Sequence, residues 1–183
     1  MPSPIAHSIT GYVILKSFSA RDRSLSKEIP RKILFAGAII AANVADLDFI
    51  PQVMFGADFH RGFTHSLAVS VCFSLLAAAI FALRHPWKKL FLLTELIYLS
   101  HLLLDLVTAG GSGMQLFWPF SSEFIKTSIS LFPSVHHSEG LFYSGHIVFI
   151  VYELIYAVLL VVAANFLNAK VRWNKSNYQN NDI

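Results

Sequence analysis

Apolar residues in this chain come in long runs, without the strict alternation of strands or the narrow stripe of a surface helix. Leu67 to Leu83 gives 17 residues without a charge. Leu90 to Val107 is apolar except for Thr94, Glu95, Tyr98, Ser100, His101 and Asp105, and Ile147 to Ala164 is broken only by Tyr152, Glu153 and Tyr156. Ile33 to Ala45 is shorter and extends to Ile50 only through two aspartates. At 1.5 Å per residue, 17 or 18 helical residues reach about 26 Å, close to a hydrocarbon core of about 30 Å. A fifth, amphipathic segment, Ile5 to Phe18, is long enough for a short crossing or an interfacial helix. A bilayer admits only helices and closed barrels, and these runs lack strand periodicity. The pattern therefore predicts an all-α, polytopic membrane protein with about four to five membrane segments. Residues 1–170 form one helical domain, and 171–183 a polar tail expected to be disordered and cytoplasmic.

Composition sharpens this. Of 183 residues, 55% are hydrophobic and 14% charged, with a mean hydropathy of +0.56. Soluble domains carry about 25% charged residues. The pI of 9.1 rests on a surplus of only three charges, which argues against nucleic-acid partners. Cys72, the only cysteine, excludes a disulfide framework and a cysteine-based zinc site. No cleavable signal is expected, because the N-terminus lacks a basic n-region.

The basic residues orient the chain. Lys16, Arg21, Arg23, Lys27, Arg31 and Lys32 lie between the first two segments. Arg84, Lys88 and Lys89 lie between the next pair, and Lys170, Arg172 and Lys175 follow the last. With five crossings, 12 of the 14 basic residues share one side, leaving Arg61 and Lys126 opposite. The positive-inside rule makes the crowded side, with the C-terminus, cytoplasmic. The long connection from Thr108 to Gly145 then lies outside, and its aromatics favour an interfacial segment.

On that topology the histidines and aspartates gather at the outer ends of four helices. His7 opens the first, and Asp46 and Asp48 close the second. His60 and His65 precede the third, and His101 and Asp105 end the fourth. His101 and Asp105, at i and i+4, share one helix face, with Thr108 nearby. Asp46 and Asp48, at i and i+2, face nearly opposite ways in a regular α-helix and could face one metal if the helix unwinds there. Arg61, beside His60 and His65, suits a phosphate or carboxylate. Glu95 and Glu153 lie deeper, His146 shares a face with Glu153, His136 and His137 lie in the outer loop, and His85 lies on the cytoplasmic side. The candidate metal ligands are His7, Asp46, Asp48, His60, His65, His101 and Asp105. Asp48, His65 and Arg61 are the candidate catalytic residues, with a spare aspartate as general base. This donor set suits zinc first, with manganese or iron as alternatives, and its size admits one or two ions. Two metals about 3.5–4 Å apart would clamp a phosphoryl displacement.

Ala45-Asp46-Leu47-Asp48, then His60-Arg61-Gly62-Phe63-Thr64-His65-Ser66, then Ser100-His101-Leu102-Leu103-Leu104-Asp105 with Thr108 and Gly111, resemble the YdjM-like family. The resemblance runs from about His7 to Pro119. Ala45 stands where the family motif usually has proline. The resemblance implies a LexA-regulated, SOS-responsive, metal-dependent hydrolase of the bacterial inner membrane. Its expected partners are membrane lipids and a small-molecule or lipid substrate. The family is itself distantly similar to zinc-dependent phospholipase C, which implies metal ligation by His7, Asp46, His60 or His65, and His101 with Asp105. The later His and Glu ligands of that group have no counterpart, since His146 and Glu153 are wrongly spaced. A metal or proton transporter using the same ligands, or a non-catalytic metal-binding membrane protein, are the competing expectations.

Overall fold

The computed structural model describes residues 3–55, 61–80, 86–109, 113–133 and 145–181. Among them the regular structure is helical, with only two isolated bridges, Thr108 to Phe132 and Met114 to Ile125. His60, His85, His136 and His137 lie outside the described residues.

Helix α1 (Pro4–Arg21) starts where Ser3 Oγ accepts the Ile5 N–H at 3.1 Å and Pro4 needs no donor. A short α2 (Ser24–Glu28) folds the chain back, and α3 (Arg31–Asn43) begins after Pro30. Instead of ending, α3 tightens into a 3-10 turn over Val44–Asp48 and resumes as α4 (Phe49–Phe55). A second 3-10 turn, Phe63–His65, leads into α5 (Leu67–Ile80). Helix α6 (Trp87–Leu106) follows Pro86, and α7 (Gly145–Asn181) is 37 residues long.

Among the described residues, two stretches are long and apolar enough to cross a membrane: Arg31–Gln52, 22 residues, and Ile147–Val171, 25 residues. They reach about 33 Å and 37 Å. The apolar α5 has 14 residues, about 21 Å. After Gly145, α7 meets no glycine or proline, and it continues to Asn181 through the polar end read from composition as disordered.

Helix α1 packs on α3, α6 and α7, and α6 also packs on α3 and α5. The first contact is close. A Cβ on Gly11 would lie 3.0 Å from both the Ala38 carbonyl oxygen and Ala42 Cβ, and 3.2 Å from Ile97. One apolar core, including Leu15, Leu25, Leu34, Ala38, Leu93 and Ile97, fills the bundle toward the α2 end. A second, Ala45, Tyr98, Leu102 and Met114, lies toward the other end.

Polar rungs hold α7 to α1. Ser3 Oγ donates to Glu153 at 2.6 Å, Thr10 and Tyr156 hydroxyls meet at 2.8 Å, and Asn168 donates to Ser17 at 3.2 Å. Elsewhere α7 exposes Ile147, Leu154, Val158, Leu159, Val162 and Phe166, an apolar surface that suits hydrocarbon.

Candidate metal centre

Consecutive long helices run in alternate directions, so the start of α1, the 3-10 turn after α3, the turn before α5 and the last turns of α6 meet at one end. That end holds the polar core. His7, Asp48, Arg61, His65, His101 and Asp105 are all buried there, although a charged group away from water is costly unless paired.

Helix α6 supplies His101 and Asp105 from one face, as their spacing predicts. His101 Nδ1 donates to the Ala42 carbonyl at 2.8 Å, which leaves Nε2 as the free lone pair. Its Nε2 lies 3.3 Å from His65 Nε2 and 3.6 Å from Asp46 Oδ1. On the opposite wall, His65 Nδ1 lies 3.1 Å from Asp48 Oδ2, so its Nε2 also turns inward. That atom sits 3.3 Å from Asp105 Oδ2 and 3.5 Å from Asp46 Oδ1. His7 stacks on His101, ring centroids 3.9 Å apart, with Nε2 3.4 Å from Asp105 Oδ1.

The helix tightening explains the two aspartates. In an α-helix, positions i and i+2 point about 160° apart, whereas three residues per turn brings them to about 120°. Asp46 and Asp48 therefore bracket His65 instead of facing opposite ways. Only Asp46 enters the cluster. Asp48 Oδ2 accepts from the Arg61 N–H at 3.0 Å and from Thr64 Oγ1 at 2.6 Å as well as facing His65. It is an anchor for the loop and the imidazole.

One ligand atom each from Asp46, His65, His101 and Asp105 falls within 4.8 Å of the others. Bonds of about 2.0–2.2 Å to a tetrahedral ion would place neighbouring donors about 3.3–3.6 Å apart. The closest contacts have that separation. Their directions matter too: both oxygens of Asp46, both of Asp105 and both ring nitrogens of His7 are buried without a hydrogen bond among the described residues. Acceptor oxygens and imidazole nitrogens thus converge on one point, with only His65 Nε2 and the Arg61 Nε–H near enough to offer a proton. His65 shows the same demand for positive charge. Burial opposes its protonation, yet Asp105, Asp46 and Asp48 outweigh that and raise its pKa to about 10. A divalent cation fits this donor set: two imidazole nitrogens and two carboxylates.

Arg61 lies at the rim, its Nε 3.5 Å from Asp105 Oδ2. Its φ of 62° is in the left-handed region, uncommon outside glycine. The Asp48 carboxylate on its N–H and the Gln115 N–H on its carbonyl, 3.1 Å, hold that conformation. Beside it a cleft of about 10 Å³ is lined by Arg61, Asp105, Gly113 and Lys126, among others. Gly113, at φ 99°, has no room for a Cβ against the Ile125 carbonyl, 2.5 Å away.

Three contributors escaped the sequence reading. The Ala42 carbonyl has no side-chain signal. Thr64 stands in the His60–Ser66 motif with no role of its own until its hydroxyl is seen on Asp48. Met114, fully buried, lines the cleft beside Arg61 and Asp105 and so brings the segment after α6 against the site. Thr108, by contrast, turns back to the Leu104 carbonyl at 2.7 Å. Glu95 and Glu153 lie away from the cluster, Glu95 Oε1 accepting from Ser70 Oγ at 2.9 Å and Glu153 from Ser3 Oγ.

Membrane-length helices and a buried His/Asp cluster at one bundle end define a helical membrane protein with a candidate metal centre. The YdjM inner membrane protein family matches residues 1–175, and the chain belongs to that family. It is similar to Inner membrane protein YbcI of Escherichia coli (strain K12), 44% identical over 105 residues. That match covers 54% of this chain and 60% of the relative. No solved structure matches the chain.

Proposed function

We propose that this protein is a membrane-bound, metal-dependent hydrolase that cleaves an ester or phosphoester bond of a membrane-associated substrate. One observation carries the reading: buried lone pairs of two aspartates and two histidines converge beside a buried arginine. Asp46, His65, His101 and Asp105 would hold the ion, zinc first and manganese or iron as alternatives, with His7 against Asp105. When bound, it supplies Lewis acidity and makes water nucleophilic near neutral pH.

The chain's own residues do the rest. Arg61 offers a planar guanidinium to a phosphate or carboxylate oxygen at the rim. Asp48 fixes the tautomer of His65 and acts through it. The small cleft between Asp105 and Lys126 has room for about one water-sized group. The distribution of basic residues supports a multi-pass topology with this end outside and the C-terminus in the cytoplasm. Transport by the same ligands fits less well. Transport sites lie near the bilayer midplane, whereas this cluster sits at helix ends above an apolar layer of Ala45, Tyr98 and Leu102.

The test uses purified protein, loaded with zinc or manganese, on phosphodiester and carboxylester amphiphiles, beside metal uptake in liposomes. Turnover that chelation abolishes and metal restores is the expected result. Uptake without turnover would replace hydrolysis by transport, and neither would leave a structural metal site.

A further inference from the structure

The other end of the bundle carries a second polar feature, unrelated to the metal centre. A cavity of about 600 Å³ opens between α1, α2, α3 and α7. Lys16, Arg23 and Arg31 line it, with no aspartate or glutamate among the described residues of its walls. Among the described residues none of these three cations has a carboxylate partner, whereas Lys89, at the same end, pairs with Asp22. Lys16 is held against the wall, donating to Asn165 Oδ1 at 2.9 Å with its ammonium 6.0 Å from the Tyr12 ring centre. Three like charges around one cavity raise a local positive potential that an anion among them would meet.

The remaining walls are mixed. Leu15, Leu34 and Phe35 give an apolar side, and Ser19, Ser26 and Asn168 give hydroxyl and amide groups. Height in the membrane follows from the two long spans. Arg31 begins one, and Asn165 and Asn168 lie in the last turns of the other, which ends at Val171. The cavity thus sits where hydrocarbon meets head groups, on the side that holds most of the basic residues. Basic pockets between helices on that side bind anionic lipid head groups.

We propose that this cavity binds the head group of an anionic phospholipid of the cytoplasmic leaflet. Its phosphodiester lies among Lys16, Arg23 and Arg31, and its glycerol and upper acyl carbons lie against Leu34 and Phe35. The mixed lining favours an amphiphile over free phosphate. The site is independent of the hydrolase reading, lying at the opposite end of α1 and α3.

Full-length protein in neutral detergent is titrated with phosphatidylglycerol or phosphatidylcholine, and bound lipid is read by native mass spectrometry. Phosphatidylglycerol should bind preferentially, at one per chain. Each surface cation contributes about a factor of five to attraction for anionic lipid, so Lys16→Gln/Arg23→Gln/Arg31→Gln should weaken binding roughly 100-fold. Lys27→Gln/Lys32→Gln/Lys88→Gln removes the same charge from the same end outside the cavity and should leave binding unchanged. All six residues are exposed, and an unchanged helical melting transition reports that both variants fold. Equal loss in the two variants, or none in the first, would overturn the site. Competition by glycerol phosphate at the lipid's own affinity would overturn the lipid assignment.

Discussion

The two ends of α1 handle charge in opposite ways. Near its start, His7 joins two carboxylates and two further imidazoles that are nearly all buried, with lone pairs turned inward and few donors to meet them. Near its finish, Lys16 and the neighbouring Arg23 and Arg31 are exposed around an open cavity, with no carboxylate among the described residues to meet them. Burial makes the first arrangement expensive without a cation, while the second is screened by water and needs no filling to fold. The comparison separates a site whose geometry is locked by packing from one whose selectivity comes from local charge. Substitutions should therefore act through metal affinity at one end and through lipid preference at the other.

The largest effect is expected at the cluster itself. His101→Ala should weaken metal binding by more than about 100-fold, beyond the cost of an outer partner, measured by competition with a chromophoric chelator. Asp48→Ala removes the group that orients His65 and holds the Arg61 loop. It should keep the metal stoichiometry but weaken affinity about 10–100-fold. An Asp48→Ala variant as defective as His101→Ala would make Asp48 a direct ligand and blur the distinction between cluster and anchor.

Packing links the two ends. Gly11→Val places carbon against the Ala38 carbonyl and Ala42, so α1 must move from α3. Overpacking of this kind costs about 1–3 kcal/mol in thermal unfolding. Because His7 is one turn away, metal affinity should fall with it. Unchanged affinity at reduced stability would show that the ends are uncoupled and that His7 is dispensable.

The smallest effect is expected at the exposed pair Asp22–Lys89. Hydrogen bonds from Lys89 and from Ser24 hold the Asp22 carboxyl well below its usual 3.8. A depressed folded pKa gives stability that is present above the unfolded value and lost as pH falls through the folded one. Asp22→Asn should barely move the melting temperature at neutral pH, as exposed pairs contribute little, and should flatten its decline below about pH 4. A large loss at neutral pH would mean that this end is held by specific pairing and not by its apolar core.

Much of this organisation is legible in the sequence because membranes simplify the problem. Long apolar runs mark the helices, and an ionisable residue inside one stands out. His101 and Asp105 could be placed on one face from their spacing alone, and the expectation of alternating helix directions put His7, Asp46, His65 and Asp105 at one end. Pitch was less legible. Nothing in Val44–Asp48 announces a 3-10 turn, so the division of labour between Asp46 and Asp48 emerges only from the fold. Backbone partners were invisible for a similar reason: the Ala42 carbonyl that sets the His101 tautomer depends on how α3 packs against α6. Nor do local patterns reveal the basic cavity. Lys16, Arg23 and Arg31 read as orientation markers, and only the fold-back of α2 with the arrival of α7 makes them walls of one space.

A bound cation is what the converging carboxylates and imidazoles of the cluster require. Elemental analysis of the purified full chain, with X-ray absorption at the metal edge, tests this most directly. The expected result is one or two divalent ions per chain, in a nitrogen and oxygen shell with imidazole scattering that weakens or disappears in His101→Ala. Protein that binds no ion after reconstitution, or a shell unchanged in that variant, would contradict it.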